Sequence, residues 1–248
     1  MSEAVLLAWS GGKDSTLALE RLLGDAGVRV AALVTTVTTG YDRIAIHGVR
    51  RSILRRQVEL LGIPLIEAEI PPQADNATYE AAFADALARA RASSDTRVDT
   101  IAFGDLYLAD VRAYREAMLA RLGWRGRFPL WGEDTTRLAR YFVERGYRAI
   151  LSCVDTEQLD GAFCGREYDA SLLADLPVSV DPCGENGEFH TCVHAGPIFG
   201  ETIALERGER VLRDGRFQYV DLIEIHASDA SGHSNRSRSD AARSFGQQ

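Results

Sequence analysis

Lysine is almost absent from this chain. Lys13 is the only lysine among the 28 basic residues, and all the others are arginine. A planar guanidinium cannot replace a compact ammonium where space is tight. A chain that uses arginine everywhere else is expected to keep a lysine only where an ammonium is required. Lys13 is therefore a candidate functional residue.

Long hydrophobic runs are absent as well. No apolar stretch approaches the roughly 18 residues that a membrane-spanning helix needs. Near the N-terminus an acidic residue, Glu3, stands where a signal peptide would carry its basic region. With 46% hydrophobic and 26% charged residues, the composition is that of an ordinary globular protein. These features predict a cytoplasmic protein with no membrane contact.

The chain also lacks an excess of positive charge. Its formal net charge is −8, whereas proteins that track a nucleic-acid backbone usually carry the opposite balance. We therefore expect no nucleic-acid partner. Arginines do crowd one predicted helix, where they form either a solvated face with neighbouring acids or a docking patch for RNA or phosphate. They are Arg50, Arg51, Arg55 and Arg56.

Closely spaced cysteine pairs are missing too. None of the four cysteines forms a C-x-x-C pair, so a zinc ribbon or a thioredoxin-type site is not expected. Buried free thiols are the main interpretation. Persulfide chemistry is the alternative, because Cys183 and Cys192 flank a motif described below. The four are Cys153, Cys164, Cys183 and Cys192.

Apolar runs alternate with helical patterns along the first 155 residues. Such alternation predicts right-handed βαβ crossovers and a doubly wound parallel sheet, which is an α/β domain. The predicted strands cover residues 4–10, 28–37, 64–70, 100–107 and 149–154. The predicted helices cover residues 14–23, 48–61, 76–92, 111–122 and 135–144.

The pattern changes after residue 155. A short helix over 168–176 is followed by a loop over 181–197 and by strands over 202–206, 209–212 and 217–225. Asp214-Gly215 is a strong hairpin signal. We predict a smaller substrate-side domain with a β hairpin over residues 156–226. Residues 227–248 have little to bury and are predicted to be a disordered tail.

A glycine-rich loop follows the first strand, where the first helix begins. Free backbone N–H groups and the helix dipole favour a phosphate at this position. The glycines permit close approach, and Lys13 supplies charge. The loop matches neither the P-loop spacing nor the dinucleotide fingerprint. It consists of Ser10, Gly11, Gly12, Lys13, Asp14 and Ser15.

These six residues resemble the PP-loop, S-G-G-x-D-S, of the N-type ATP pyrophosphatases. That resemblance implies a HUP-like α/β fold in which ATP is split between its α and β phosphates. It further implies catalytic roles for Lys13 and Asp14, nucleotide contacts from Thr35 and Gly104, and Mg²⁺ held by Asp14 and Asp105. ATP binding is the main inference from the loop.

Further segments are similar to one branch of that family, the diphthine–ammonia ligases, in their short prokaryotic form. The similarity spans roughly residues 4 to 225. One segment, 183–191, looks like the C-G-E-x-G-E-[FY]-x-T signature of this branch, although its centre reads Asn-Gly-Glu-Phe-His. The other segments are Gly104-Asp105-Leu106, Tyr114-Arg115-Glu116, Pro129-Leu130-Trp131 and Gly196-Pro197-Ile198-Phe199.

The resemblance assigns further site residues. The signature presents Glu185 and Glu188 on a turn, and we expect both to be catalytic by holding Mg²⁺, an ammonium ion or a cationic substrate group. The alternative is an acidic surface turn. Asp105 follows the fourth strand and either contacts substrate or caps the next helix. His47 either contacts the nucleotide or substrate or only fills a hydrogen bond at the start of a helix. The remaining candidate substrate contacts are Asn186, Gly187 and Thr191.

Together these features predict an ATP-dependent ligase that adenylates a carboxylate for attack by ammonia, releasing AMP and pyrophosphate. The resemblance implies elongation factor 2 as the acceptor in an archaeon or eukaryote, and another carboxylate in a bacterium. A homodimer is considered for the assembly. The alternatives are a tRNA-modifying PP-loop enzyme that transfers sulfur or an amine, and a non-catalytic sensor of ATP or AMP.

Overall fold

The computed structural model describes residues 2–44 and 47–225. It contains two β-sheets. The disordered tail predicted for residues 227–248 lies outside the described residues. The first sheet is formed by the N-terminal part of the chain and the second by the C-terminal part. No helix in the described part is long and apolar enough to cross a membrane.

The first sheet is mostly parallel. Its order is β4-β2-β1-β5-β6, and β3 pairs antiparallel with the end of β2. β1 lies in the middle, with Val5 and Leu7 fully buried, as expected for a strand covered on both faces. The strands are β1 (Glu3–Ala8), β2 (Val28–Thr38), β3 (Arg43–Ile44), β4 (Leu65–Ile70), β5 (Val98–Ala102) and β6 (Arg125–Arg127).

Helices cover both faces of this sheet. The helices are α1 (Lys13–Leu23), α2 (Arg51–Leu61), α3 (Asn76–Ser93), α4 (Ala109–Arg121) and α5 (Thr135–Glu144). One hydrophobic cluster contains Leu17, Ile53 and Phe142 from α1, α2 and α5. A second cluster contains Phe83 and Met118 from α3 and α4. The predicted α/β doubly wound fold is confirmed.

The strand order reverses next to β1. The chain runs from β1 outward through β2 to β4 and then returns to place β5 on the other side of β1. In an open α/β sheet, such a reversal opens a crevice at the carboxyl ends of the two strands. The loop after β1 and the segment Gly104-Asp105 after β5 therefore meet at this crevice.

The second sheet is antiparallel and corrects one prediction. Its strands are β7 (Arg148–Asp155), β8 (Phe189–Ala195), β9 (Leu205–Arg213) and β10 (Phe217–Glu224), in the order β8-β7-β10-β9. The prediction of a fifth parallel strand over 149–154 is wrong, because β7 pairs antiparallel with β8 and β10. β7 is buried along its length, which gives the same apolar run as a parallel core strand. The domain division at residue 155 stays a prediction.

Two further predictions for the C-terminal part have different outcomes. The loop predicted over 181–197 is wrong in its second half, which forms β8. The predicted hairpin is confirmed, since Asp214 and Gly215 have φ angles of 52° and 63° and connect β9 to β10. The short predicted helix is present as α6 (Ala170–Asp175).

Asp155 at the end of β7 supports the first prediction on stability. Its side chain is 1% exposed, and its carboxylate accepts hydrogen bonds from Arg216 Nε at 2.9 Å and Nη2 at 2.6 Å. Arg216 lowers the pKa of the Asp155 carboxyl to about 2. Because this pKa is lower in the folded chain, the contribution is present above about pH 4 and is lost as pH falls toward 2.

We expect Asp155→Asn to lower the free energy of unfolding by about 2 kcal/mol at pH 7. At pH 3 the difference between the two proteins should shrink by about half, because the carboxyl of the unfolded wild-type chain is then largely protonated while that of the folded chain is still mostly ionised. Urea unfolding at both pH values measures this. A difference that does not change with pH would contradict the assignment to the ion pair.

Candidate active site

A cavity of about 320 Å³ lies at the carboxyl edge of the first sheet, where β8 and its preceding loop approach β1 and β5. Residues from both sheets line it, so neither half of the chain forms the cavity alone. The predicted site residues that line it are Ser10, Lys13, Asp14, Ser15, Thr35, His47, Gly104, Asp105, Glu185, Gly187 and Thr191. Gly11, Gly12, Glu188 and Asn186 are predicted site residues that do not line it.

The glycines of the loop are required by close contacts. Gly11 has a φ angle of 75°, and a Cβ there would lie 2.4 Å from Gln57 Oε1. Gly12 is the N-cap of α1, and a Cβ there would lie 3.0 Å from His47 Cε1. Ser15 and Thr16 donate their hydroxyls to the Gly12 carbonyl, both at 2.9 Å. The loop is therefore held tightly around the start of α1.

Gln57, which was not among the predicted site residues, links the glycine loop to β8 by hydrogen bonds. Its Nε2 donates to the carbonyls of Gly11 at 3.0 Å and Val193 at 2.6 Å. Its Oε1 accepts from Trp9 Nε1 at 3.3 Å. The side chain is fully buried on α2. Gln57 thus fixes the loop against the second sheet without lining the cavity.

We expect Gln57→Leu to lower the free energy of unfolding by about 2–3 kcal/mol, because buried carbonyls and the Trp9 indole lose their partner. Gln57→Glu should cost more, since a carboxylate cannot donate to the two carbonyls and buries a charge. Chemical denaturation of both variants measures this. Wild-type stability in either variant would show that these hydrogen bonds do not hold the loop.

Lys13 connects the glycine loop to the signature. Its side chain is buried, and Nζ donates to both carboxylate oxygens of Asp14, at 2.7 and 2.8 Å, and to the Cys183 carbonyl. Its backbone N–H donates to Thr191 Oγ1 at 3.0 Å. Burial lowers the pKa of the Lys13 ammonium, but Asp14 outweighs burial and the pKa is raised. Lys13 is therefore a buried cation that joins the glycine loop to the signature.

The segment after β5 closes the other side of the crevice. A Cβ at Gly104 would lie 2.8 Å from the backbone carbon of Asp14, so only glycine permits this approach. Asp105 pairs with Arg115 Nε at 2.7 Å, and Arg115 lies over the Phe103 ring at 4.4 Å. The N-cap of α4 is Leu108, so the alternative role of Asp105 as a helix cap is wrong.

Glu185 is the acid of the signature that reaches the cavity. One of its carboxylate oxygens accepts the backbone N–H of Leu106 at 2.8 Å and that of Tyr107 at 3.4 Å. Burial raises the pKa of the Glu185 carboxyl, and the Asp14 carboxylate adds to this. Glu185 therefore joins the signature to the segment after β5 and presents a carboxylate to the cavity.

Glu188 points into the signature loop instead. The side chain is 2% exposed. Its carboxylate accepts the backbone N–H groups of Asp181 and Asn186 and the Asn186 side-chain amide, each at 2.9 Å. These contacts favour a positioning role for Glu188 over the predicted contact with substrate, which stays a prediction. Asn186 is exposed on the outer side of the loop and accepts from Tyr107 Oη at 3.0 Å.

Several residues that line the cavity were not predicted. His190, a signature residue for which no role was predicted, packs against His47 with ring centroids 4.6 Å apart. An aromatic wall is formed by Tyr79, Phe83 and Phe103. The i, i+4 spacing of the first two on α3 could not be told from that of core residues. Near this wall, the buried Thr35 Oγ1 has no hydrogen-bond partner among the described residues.

The cysteines do not favour sulfur chemistry. All four are free and buried, as the main interpretation predicted. Burial raises the pKa of each thiol to about 12. Since the thiolate is the reactive form, these thiols are poor nucleophiles at neutral pH.

The arginines of α2, and Arg50 at its N-cap, pair with acids. Arg50 donates to Asp221 at 2.6 Å, Arg55 contacts Glu67 at 3.2 Å and Arg56 contacts Glu59 at 2.8 Å. Arg51 also pairs with Glu67 and, at 3.1 Å, with Glu69. The contacts agree with a solvated face with neighbouring acids rather than a docking patch.

Comparisons with known proteins agree with this arrangement. The family model described as diphthamide synthase N-terminal domain matches residues 1–126, and the diphthamide synthase C-terminal domain matches residues 134–222. A diphthine–ammonia ligase of Schizosaccharomyces pombe is 26% identical over 218 residues, which cover 82% of this chain and 36% of that protein. The chain thus spans about a third of the length of this relative. The two matches take in both the glycine loop and the signature, and the chain belongs to the diphthamide synthase family.

Proposed function

We propose that this protein is an ATP-dependent amide ligase that forms AMP and pyrophosphate. ATP adenylates a substrate carboxylate, and ammonia then displaces AMP to give the amide. The observation that carries the proposal is the position of Lys13 in the glycine loop, where it contacts Cys183 and Thr191 of the signature beside one cavity. The relative in Schizosaccharomyces pombe is named a diphthine–ammonia ligase, which supports the same reaction class.

The phosphates of ATP would lie at the N-terminus of α1. Backbone N–H groups of the loop and the helix dipole favour an anion there, and Lys13 and the hydroxyls of Ser10 and Ser15 add further donors. The aromatic wall offers a surface on which an adenine can stack. Thr35 Oγ1, which has no partner among the described residues, would be available to hydrogen-bond the nucleotide near the aromatic wall. The loop would stabilise the charge that develops on the leaving pyrophosphate.

A magnesium ion fits the acids of this cavity as a companion of the nucleotide. Mg²⁺ in nucleotide sites uses one or two protein carboxylates together with phosphate oxygens. Asp14, with 31% of its side chain exposed, and Asp105, which is paired with Arg115, would hold it. Its chemistry would be to neutralise phosphate charge. Residues 2–44 and 47–225 contain no group of three or more metal-binding side chains.

Glu185 would position the amine nucleophile. It is the signature carboxylate that lines the cavity, and its other contacts, to two backbone N–H groups, fix its orientation. A carboxylate in a partly buried site attracts ammonium. The acceptor carboxylate belongs either to elongation factor 2 or to another substrate. Location in the cytoplasm and a homodimeric assembly remain expectations.

The proposal is tested with ¹⁵N-ammonium. The full chain is incubated with ATP, Mg²⁺, labelled ammonium and an extract of the source organism. We expect ¹⁵N in an amide of one acceptor, dependent on both ATP and the chain. AMP formation without incorporation of label would contradict the amide step and favour another PP-loop activity. Binding of ATP with no product would favour the sensor.

A further inference from the structure

Two histidines lie side by side next to the glycine loop. The His47 and His190 rings have centroids 4.6 Å apart and an interplanar angle of 41°, and both line the cavity. His47 Nδ1 lies 3.3 Å from the carbonyl oxygen of Thr191. The hydroxyl of the same threonine accepts the backbone N–H of Lys13. Since His47 also lies over Gly12, the pair is within side-chain reach of the start of α1.

Both cations and carboxylates share the cavity with this pair. On α1, the positive charge of Lys13 lowers the pKa of both imidazoles, and Asp14 lines the same cavity. From the signature loop, Glu185 lines it as well. From β10, Tyr219 packs against Gly48, the residue after His47. Burial lowers the pKa of His47 to about 4, although the hydrogen bond to the Thr191 carbonyl opposes this, and Lys13 adds to the lowering. Burial also lowers the pKa of His190 well below its ordinary value, and His47 and Lys13 add to this.

We infer that His47 and His190 form a phosphate-binding imidazole pair that takes up a proton when the phosphate chain of the nucleotide enters the cavity. This inference rests on the proposed function, because it takes the ligand to be ATP or its pyrophosphate product. It adds two residues to the phosphate site and couples binding to protonation.

The pair should take up a proton on binding because the ligand is negatively charged. In the free cavity, a protonated imidazole would be buried beside Lys13 and a second imidazole, so the neutral form is favoured. A polyphosphate next to the pair reverses that balance, because an anion within a few ångströms stabilises the imidazolium. Two adjacent rings repel each other when both are charged, so the pair should share about one proton.

Linkage fixes the direction of the pH dependence. A ligand that raises a pKa binds more tightly where the group is protonated, by reciprocity. Affinity for the nucleotide should therefore fall as pH rises from 6 to 8. The phosphates of the ligand titrate in the same range, but they do so equally for every variant of the protein. The difference between variants therefore reports the imidazoles.

Isothermal titration calorimetry of the full chain tests the inference. ATP with Mg²⁺, and separately inorganic pyrophosphate, is titrated at pH 6.5 in buffers of different ionisation enthalpy. The slope of the observed enthalpy gives the number of protons exchanged. We expect an uptake of about one proton per ligand beyond the contribution of the ligand itself. The double variant His47→Asn, His190→Gln should lose this uptake and bind at least tenfold more weakly.

His194→Gln is the matched control. His194 is a buried histidine on the same strand as His190, but it contacts Glu167 at 3.2 Å and does not line the cavity. It should behave as wild type. Equal uptake in the wild type and the double variant would overturn the inference while leaving the proposed function intact. If neither ATP nor pyrophosphate binds to the wild type, the proposed function itself fails and this inference with it.

NMR of the wild-type protein gives a test that needs no variant of the pair. The imidazole resonances of His47 and His190 are followed against pH, with and without pyrophosphate. We expect the midpoint of one of them to rise to about pH 7 or above on binding, as an uptake of about one proton at pH 6.5 requires, while the His194 resonance is unaffected by the ligand. Midpoints that do not move would overturn the inference.

Discussion

Lys13→Ala should reduce AMP formation by this protein by about three orders of magnitude while leaving the chain folded. Lys13 is the one lysine of the sequence, and its ammonium contacts Asp14 and the Cys183 carbonyl at the cavity. Removal of one preorganised donor to a developing anion typically costs 10²–10³-fold in turnover. We expect a loss of about 10³-fold, because Lys13 also holds the signature against the glycine loop. Quantification of AMP under saturating ATP measures this.

Two control variants separate charge from packing. Lys13→Arg keeps the positive charge, but a planar guanidinium does not reproduce the contacts of a compact buried ammonium, so we expect it to lose nearly as much activity as the alanine variant. Lys13→Met keeps most of the volume without charge. Circular dichroism and thermal unfolding of all three confirm that the chains are folded. Substantial activity in Lys13→Arg would contradict the requirement for an ammonium.

Glu185→Gln should reduce amide formation by about 10²-fold with little effect on stability. Its carboxylate lines the cavity, and a glutamine oxygen can still accept the Leu106 N–H while the charge is lost. Because the amine site rather than the phosphate site is changed, affinity for ATP should stay within a few-fold of wild type. Rates of product formation and equilibrium binding of ATP, measured side by side, check both parts.

Glu188→Gln is the matched comparison on the same loop. Glu188 accepts three N–H groups in a buried position, and a glutamine would turn its own NH₂ toward at least one of these donors. We expect a loss of about 2–3 kcal/mol in unfolding free energy, with turnover reduced as a consequence. Lost turnover at unchanged stability would instead support the direct catalytic role predicted from the sequence.

Much of the site could be predicted from the sequence because its two motifs are runs of consecutive residues. The backbone has a positive φ angle at Gly11, and at Gly12 there is little space for a side chain. The signature contains the turn that presents Glu185. Such requirements are visible in consecutive residues. The alternation of strands and helices also predicted the first sheet, because buried parallel strands are short apolar runs between turns.

The parts that were missed depend on contacts between distant residues. β7 has the apolar run of a parallel core strand, and only its pairing with β8 and β10 shows otherwise. Gln57 on α2 looks like any polar helix residue until the loop and β8 pack around it. The different environments of Glu185 and Glu188 likewise could not be inferred from two acids three residues apart.

The central claim is that the cavity between the glycine loop and the signature splits ATP into AMP and pyrophosphate. The most direct measurement is nucleotide product analysis of the full chain with ATP, Mg²⁺, ammonium and an extract of the source organism, against extract alone and against Lys13→Ala. We expect equal amounts of AMP and pyrophosphate that depend on the chain and disappear in the Lys13→Ala variant. ADP and phosphate as the products, or AMP that persists in that variant, would contradict the claim.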